Sequence, residues 1–311
     1  MQTLLVPIDF TAAAENALGY ANKLALRLPA EIVLVHSCPP GTGAEGRAAL
    51  LRQLQALAER LRYQQLTRQS GRRITYHYHL LAEPLAQGLE VLVNGYCASL
   101  VVLGLTLMDC ATATAEGTTP MLLPEHVSCP VLVVPPGRHE LPSRHELPSR
   151  VVVSGDFTHL DARRLPFLTQ LTRPAGAHFD LVQFYAPTHV GLAPLKKALM
   201  EARAHLPEAT GHLLPEEDAL EGLSDFCAQQ AAQLLVLATA DGCLVRRFFH
   251  PHYTKTNAYH LRIPLVLLPT SQLPTETCCA QCHLRQAAES RRLTQGMPLA
   301  AAGRFTPVTA G

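Results

Sequence analysis

An acidic residue stands at the end of the first apolar run, at a place where a ligand could bind. Residues 4–8 are almost all apolar, as expected of a strand covered on both faces, and Asp9 follows directly. Open α/β sheets bind ligands outside the carboxyl ends of their strands, so Asp9 is a candidate binding residue. A second interpretation stays open, because an acid here also favours the N-terminus of the helix that follows Thr11.

Other residues with reactive side chains give weaker signals. Cys279, Cys282 and His283 fit the covalent haem-attachment pattern and could bind a metal, but free thiols in an unstructured tail are the simpler interpretation. His77 and His79 share one face of a strand, where an exposed polar face is favoured over a metal pair. The chain has no nucleophile elbow, no Walker lysine loop and no paired-histidine helix motif. Neither a catalytic centre nor a metal is expected.

Composition and charge argue against several classes of protein. The 311 residues are 48% hydrophobic and 16% charged, with a net charge of +1, which suits compact α/β domains and disfavours a nucleic-acid or anionic-membrane surface. No apolar run is long enough to span a membrane, and the first residues lack the pattern of a signal peptide. The odd count of nine cysteines fits reduced thiols, so a cytoplasmic location is expected.

The chain repeats one arrangement. Residues 1–135 and 151–269 each begin with an apolar run that ends in an acidic turn, and each ends with an apolar run between prolines. Pro130 follows Gly104 by 26 positions, and Pro264 follows Ala238 by the same 26. Two diverged copies of one domain are the simplest cause.

Strands alternate with helices in each copy. In the first copy the pattern predicts strands at 4–8, 31–36, 74–81, 100–103 and 131–134, and helices at 14–28, 48–66, 85–98 and after residue 117. In the second it predicts strands at 151–153, 178–184, 211–214, 234–238 and 264–268, and helices at 160–172, 194–205 and 218–230. This alternation requires crossover helices. The predicted fold class is α/β, with two tandem doubly wound, mainly parallel five-stranded sheets.

The expected domain boundaries follow from the same pattern. The first domain covers 1–137 and the second covers 151–270. The segment 138–150 between them carries the hexapeptide Arg-His-Glu-Leu-Pro-Ser twice, has no pattern of core residues and is interpreted as a linker. Residues 271–311 lose periodicity and are expected to form a flexible tail.

The sequence resembles the universal stress protein family in its tandem, two-domain form. The motifs that carry the resemblance are VPIDFT at 6–11, IVLVH at 32–36, LVVLG at 100–104 and CPVLVVP at 129–135. It is close over 1–135 and weaker over 151–269. The resemblance implies the adenine-nucleotide alpha hydrolase-like fold. It also implies that the last strands of the two halves pair into an intrachain pseudo-dimer, in a monomer or a homodimer.

The resemblance also implies a phosphate-binding loop after the fourth strand. ATP-binding members carry Gly, two residues, Gly, nine residues, Gly and then Ser or Thr. Gly104, Gly117 and Thr118 match this form, but Leu107 replaces the second glycine, where the backbone should approach a phosphate closely. The residues between Leu107 and Gly117 include two acids and no Lys or Arg, a charge that opposes a triphosphate.

Three further residues are assigned by the resemblance. Asp9 would contact ribose or adenine, the backbone at Ser37 would contact adenine, and Leu103 would line the same cleft. ATP is therefore a candidate ligand of the first half, and an emptied cleft is the alternative.

The second copy has lost the glycines. Ala238, Asp241 and Pro251 stand in their places, and His252 replaces the threonine. We expect this half to be a pairing partner in which Asp156 is a remnant of the site.

These features predict a stress-response binding or regulatory module, more readily than an enzyme, that binds ATP or another adenine nucleotide in its first half. A nucleotide-free interaction scaffold and a slow ATP hydrolase are the alternatives. A protein partner is expected, but the sequence does not identify it.

Overall fold

In the residues that the computed structural model describes, the strands form one ten-stranded sheet. The structure describes residues 2–66, 73–104, 127–135, 147–172, 176–188, 191–206, 208–238 and 263–268. The strands are β1 (Gln2–Pro7), β2 (Ala30–Ser37), β3 (Tyr76–Leu81), β4 (Leu100–Gly104), β5 (Val131–Val134), β6 (Arg150–Gly155), β7 (His178–Tyr185), β8 (Ala209–Pro215), β9 (Leu234–Ala238) and β10 (Leu265–Leu268). The helices are α1 (Ala12–Arg27), α2 (Ala44–Leu66), α3 (Leu85–Gly95), α4 (Ala193–Ala204) and α5 (Ala219–Gln229), with a 3₁₀ helix at Ala162–Leu171.

The strand order shows the same topology twice. The order is β3-β2-β1-β4-β5-β10-β9-β6-β7-β8, and every neighbouring pair is parallel except β5 with β10. Each half is therefore a five-stranded, doubly wound parallel sheet, as predicted. Because parallel strands need a crossover connection, the alternation of strands and helices in the sequence was enough to predict the parallel sheets.

The two halves meet at their last strands. β5 pairs antiparallel with β10, and Leu132 stands opposite Val266. These are the second residues of the two equivalent strands, so the pair relates the halves by an approximate twofold axis. The predicted intrachain pseudo-dimer is confirmed.

The core lies on both faces of the sheet. Leu4 and Val6 belong to the apolar cluster under α1, whereas Leu5 between them belongs to the cluster under α3. This alternation follows from the two-residue period of a strand, and both clusters contain residues from both halves. None of the helices in the described ranges is long and apolar enough to cross a membrane.

One helix differs from its prediction. The segment predicted as a helix over 160–172 forms a ten-residue 3₁₀ helix, with Pro166 inside it. Proline has no amide hydrogen, and its ring collides with the carbonyl four residues earlier, so an α-helix cannot continue through this position. Leu165, Leu168 and Leu171 nevertheless bury the apolar face that the periodicity indicated.

The end of the predicted linker is packed against the second half. Leu147 is 5% exposed and lies in the apolar core, and Pro148 is also buried. The Ser149 amide donates to Gln233 Oε1 over 2.7 Å, while the Ser149 carbonyl accepts from the His178 amide over 2.7 Å. The segment was predicted to be a linker with no pattern of core residues, yet its last residues include a leucine that is buried in the core. A single leucine forms no periodic pattern, so its burial could not be predicted from the sequence.

Candidate functional site

The order of the strands reverses between β1 and β4. The chain moves outward from β1 to β2 and β3 and then returns to β4, with α1 on one face and α3 on the other. Such a reversal leaves a crevice at the carboxyl ends of the two strands. Here β1 and β4 pair only at Leu4–Leu100 and Leu5–Val101, although both strands continue beyond these pairs. Pro7 lies just beyond these pairs and has no amide hydrogen to donate, so the hydrogen-bonded pairing of β1 with β4 ends there.

Asp9 lies on the turn between β1 and α1. Its Oδ1 accepts hydrogen bonds from the Thr11 amide over 2.9 Å and from the Thr11 hydroxyl over 2.6 Å. Phe10 between them has a φ of +62°, in the left-handed region. The Thr11 hydroxyl also accepts from the Ala14 amide over 3.3 Å, so Thr11 is the N-cap of α1.

This turn serves the helix and leaves one carboxylate oxygen for a ligand. Within the described residues, hydrogen bonds reach Asp9 at Oδ1 only, and Asp9 is exposed. The two interpretations of Asp9 are therefore compatible, since Oδ1 organises the start of α1 while Oδ2 can accept from a ligand hydroxyl.

His36 is a site residue that the sequence analysis missed. Its Nδ1 lies 2.6 Å from the carbonyl oxygen of Ile8, and its ring centroid lies 4.9 Å from that of Phe10. The half-buried imidazole thus fixes the backbone immediately before Asp9. The available signal was a polar residue closing the apolar run 32–35.

Ser37 joins two neighbouring strand ends. Its hydroxyl donates to the carbonyl oxygen of Glu83 over 2.7 Å, which ties the end of β2 to the turn after β3. The Ile8 amide donates to the Val35 carbonyl over 2.7 Å, so the ends of β1 and β2 stay side by side. Asp9 and Ser37 consequently lie at the same edge of the sheet.

Leu103 belongs to the core beneath this edge. It is 6% exposed and packs in the apolar cluster on the α3 side of the sheet. Its role in the described structure is to support the strand end, and little of its surface is open to a ligand.

The packing of α1 explains the glycine at position 104 without any ligand. A methyl group at this position would lie 2.2 Å from the carbonyl oxygen of Ala13, in the first turn of α1. Only glycine permits this close approach of helix to strand. Gly104 is therefore weaker evidence for a phosphate loop than the motif alone implied. The other loop positions, Leu107, Gly117 and Thr118, lie outside the described residues, so the loop itself stays a prediction.

The second half repeats the acidic turn. Asp156 Oδ1 accepts from the Thr158 amide over 2.9 Å and from the Thr158 hydroxyl over 2.6 Å, as Asp9 does from Thr11. Here Gln183 Nε2 also donates to Oδ1 over 3.2 Å, and His159 Nδ1 lies 2.8 Å from Oδ2. Partial burial raises the pKa of Asp156, but hydrogen bonds from Thr158 and His159 outweigh it and hold the pKa below its ordinary value. Both carboxylate oxygens are used by the protein.

The strand pair at the reversal of the second half is hydrogen-bonded along its whole length. β6 and β9 pair at five positions, from Val151–Leu234 to Gly155–Ala238 at the edge. A methyl group at Gly155 would lie 1.6 Å from the carbonyl oxygen of Ala238, so the two backbones are in direct contact. In the first half the pairing of β1 with β4 ends before Pro7.

The two histidines of β3, the outermost strand of the first half, contact neighbouring side chains. His77 Nε2 lies 2.6 Å from Glu31 Oε2, and the rings of His77 and His79 lie 6.5 and 6.2 Å from that of Tyr96. In the part of the chain that the structure describes, no group of three or more His, Cys, Asp or Glu side chains is arranged to hold a metal ion. The cysteine-rich segment after residue 277 lies outside that part.

Comparison with known proteins agrees with this fold. Residues 1–135 match the model of the universal stress protein family, so the first half of the chain is a universal stress protein domain. A universal stress protein from Archaeoglobus fulgidus DSM 4304 superposes with a TM-score of 0.58 at 12% identity, covering 86% of this chain and 96% of that one. At this identity the likeness concerns the fold alone. It confirms the adenine-nucleotide alpha hydrolase-like class and extends past residue 135.

Two further solved structures are similar over different lengths. A functionally unknown protein from Pseudomonas aeruginosa PAO1 has a TM-score of 0.49 at 15% identity, covering 93% of this chain and 98% of that one. A universal stress protein in complex with cAMP has a TM-score of 0.34 at 19% identity, covering 43% of this chain and 95% of that one. No curated protein matches the chain.

Proposed function

We propose that the chain is a tandem universal stress protein of the cytoplasm that acts as a stress-response binding or regulatory module. In this proposal the first half binds ATP or another adenine nucleotide and the second half serves as its pairing partner. The observation that carries the proposal is the difference between the two acidic turns. Among the described residues, hydrogen bonds reach Asp9 at Oδ1 only, whereas His159 Nδ1 lies 2.8 Å from Asp156 Oδ2 and Gln183 donates to Asp156 Oδ1. Of the two carboxylates, only that of Asp9 keeps an oxygen for a ligand.

The polar groups support the same assignment. In the first half Asp9 Oδ2 would accept a hydrogen bond from a ribose hydroxyl, with the Ser37 backbone beside it at the end of β2. In the second half Thr158, His159 and Gln183 already hold the Asp156 carboxylate. A ligand there would have to displace these partners.

Calorimetry on a matched pair of variants tests the proposal. Asp9→Asn keeps the oxygen that accepts from Thr11, so the turn survives, but the atom that faces the ligand becomes an amide nitrogen, which cannot accept a hydrogen bond from a ribose hydroxyl. Affinity for the nucleotide should fall about fivefold. Asp156→Asn is the control and should leave affinity unchanged, with one nucleotide per chain. Two equivalent sites per chain, or equal effects of the two variants, would contradict the proposal.

A second experiment on the purified protein distinguishes the slow ATP hydrolase from the nucleotide-free scaffold. Native mass spectrometry of fresh protein, repeated after long incubation with ATP, should show intact nucleotide on one site. Accumulating ADP would favour the slow hydrolase. Protein without adenine absorbance, and without binding when nucleotide is added, would favour the nucleotide-free scaffold.

A further inference from the structure

We infer that His36 is a positioning residue of the nucleotide site, and that the residue at this position helps to determine which half presents its acidic turn to a ligand. This inference rests on the proposed function, because it concerns the same turn and the same ligand. It is carried by two side chains at equivalent positions, His36 and Gln183, which bind different atoms of equivalent turns.

The strand registers show that the two positions are equivalent. The register pairs next to the turns are Pro7–Val35 in the first half and Ser154–Val182 in the second. In each half the acid lies two residues after the first member of the pair. His36 and Gln183 each lie one residue after the second member. The two side chains therefore start from the same place in the sheet, beside the acidic turn of their half.

His36 binds the backbone of its turn. Its Nδ1 lies 2.6 Å from the carbonyl oxygen of Ile8, and because a carbonyl oxygen only accepts, Nδ1 carries the hydrogen and donates it. The imidazole ring also lies 4.9 Å from the ring of Phe10, measured between centroids. Among the described residues, only Thr11 donates hydrogen bonds to the Asp9 carboxylate. His36 thus contacts the residues on both sides of Asp9 and leaves the carboxylate itself unoccupied.

The backbone that His36 contacts is strained. Phe10 has a φ of +62°, in the left-handed region, which is unfavourable for a bulky side chain. Phe157, the equivalent residue of the second half, is not among the described residues with a positive φ. Strained backbone of this kind persists only where surrounding contacts hold it, and it is typical of ligand-binding sites. His36 supplies two such contacts, one to Ile8 and one to the ring of Phe10.

Gln183 binds the carboxylate of its turn instead. Its Nε2 donates to Asp156 Oδ1 over 3.2 Å, and the residue is 5% exposed. The amide nitrogen of a glutamine is one bond farther from the backbone than Nδ1 of a histidine, so it reaches past the backbone to the acid. The second half therefore uses this position to hold its acid, whereas the first half uses it to hold the turn.

Calorimetry with ATP and with AMP on three variants of His36 tests the inference. His36→Asn places an amide nitrogen where Nδ1 stands, so the bond to Ile8 remains and affinity should stay within about twofold of the parent. His36→Phe keeps a ring against Phe10 but has no donor. His36→Gln directs its amide toward Asp9, as in the second half. Both of these variants should bind about fivefold more weakly than the parent.

A second background distinguishes positioning from a general structural role. Glycine adopts the left-handed region without steric cost, so Phe10→Gly removes the strain that His36 is inferred to hold. In that background His36→Phe should weaken binding by less than about twofold, because the two positions are coupled. A general structural role would give the same loss in both backgrounds.

The outcomes separate this inference from the proposed function. Gln183→Asn is the control and should leave affinity unchanged, with one nucleotide per chain. Equal affinities of His36→Asn and His36→Phe, or the same loss from His36→Phe in both backgrounds, would overturn the inference and leave the nucleotide site standing. If the parent protein binds neither ATP nor AMP, the proposed function fails and this inference fails with it.

Discussion

The two halves build the same acidic turn and then differ in the strand beside it. Asp9 and Asp156 each accept the amide and hydroxyl of a threonine over 2.9 and 2.6 Å. The halves differ in which strand carries a glycine at this edge. If the register of the first half continued past Leu5–Val101, Ile8 of β1 would stand opposite Gly104 of β4. In the second half the glycine is on the other strand, because Gly155 of β6 pairs with Ala238 of β9.

This exchange shows that one glycine can be used in two ways. Gly104 admits the backbone of α1 at Ala13, beside a strand pair whose hydrogen bonding ends before Pro7. Gly155 instead admits the backbone of β9 at Ala238, and β6 and β9 pair up to the edge. The same residue type thus permits a helix-to-strand contact in one half and a strand-to-strand contact in the other.

The largest expected effect comes from filling these glycines. Gly155→Ala should lower the free energy of unfolding by about 3 kcal/mol or more, because the new methyl group meets backbone that cannot turn away. Gly104→Ala should cost somewhat less, since the helix it meets can shift. Gly19→Ala is the control, with nothing within 4 Å of the new methyl group, and as a helix-interior change it should gain about 0.5 kcal/mol. Urea denaturation measures all three, and a Gly155→Ala protein as stable as the parent would show that Gly155 is not in close contact with the backbone of Ala238.

The second prediction concerns the segment that joins the halves. Leu147→Ala should lower stability by about 2–3 kcal/mol, because it removes a buried side chain from the core. Deleting residues 138–143 removes one copy of a duplicated hexapeptide and leaves an identical Leu-Pro-Ser before β6, so it should cost under about 1 kcal/mol. A deletion as costly as Leu147→Ala would mean that the halves need the full length of the segment.

A smaller effect tests the loop that follows β4. Leu107→Gly combined with Asp109→Lys gives the first half the glycine and the positive charge that its loop lacks. Because one charge contact at a partly exposed site contributes on the order of 1 kcal/mol, ATP should bind several-fold more tightly, with adenosine changing less. Competition binding with both ligands measures the ratio, and equal gains for both would show that the loop does not contact phosphate.

The smallest effect is the pH dependence of the second turn. A carboxyl whose pKa is depressed in the folded state stabilises the fold above its unfolded pKa and loses that contribution as pH falls through the folded value. Asp156 should therefore stabilise the second half at neutral pH and stop doing so in acid, below the ordinary aspartate pKa of about 3.9. Asp156 is partly exposed, so the effect should stay under about 1 kcal/mol. Unfolding curves should show that Asp156→Asn loses less stability than the parent protein between neutral and acid pH. The same loss of stability in both proteins would contradict the prediction.

The repeat, the alternation of strands and helices, and the parallel sheets were readable from the sequence. The apolar runs at 4–8 and 100–103 predict buried parallel strands, because both faces of such strands need apolar side chains. The N-cap at Thr11 was predictable as well, since capping depends on a hydroxyl next to the chain it caps. The type of helix at 162–171 was not predictable, although Pro166 was visible in the sequence. The spacing of the leucines fits α and 3₁₀ turns almost equally over so short a stretch.

Positions that depend on contacts between distant segments were decided only by the tertiary structure. Gly104 looked like part of a phosphate loop until the fold placed Ala13 against it, and the burial of Leu147 had no local sign. His36 and Gln183 gained their roles by lying beside Ile8 and Asp156, which are far from them along the chain. The sequence thus identified the strands and the acidic turns, because these depend on near neighbours. Which backbone each glycine meets, and which partners hold each carboxylate, depends on segments that only the assembled sheet brings together.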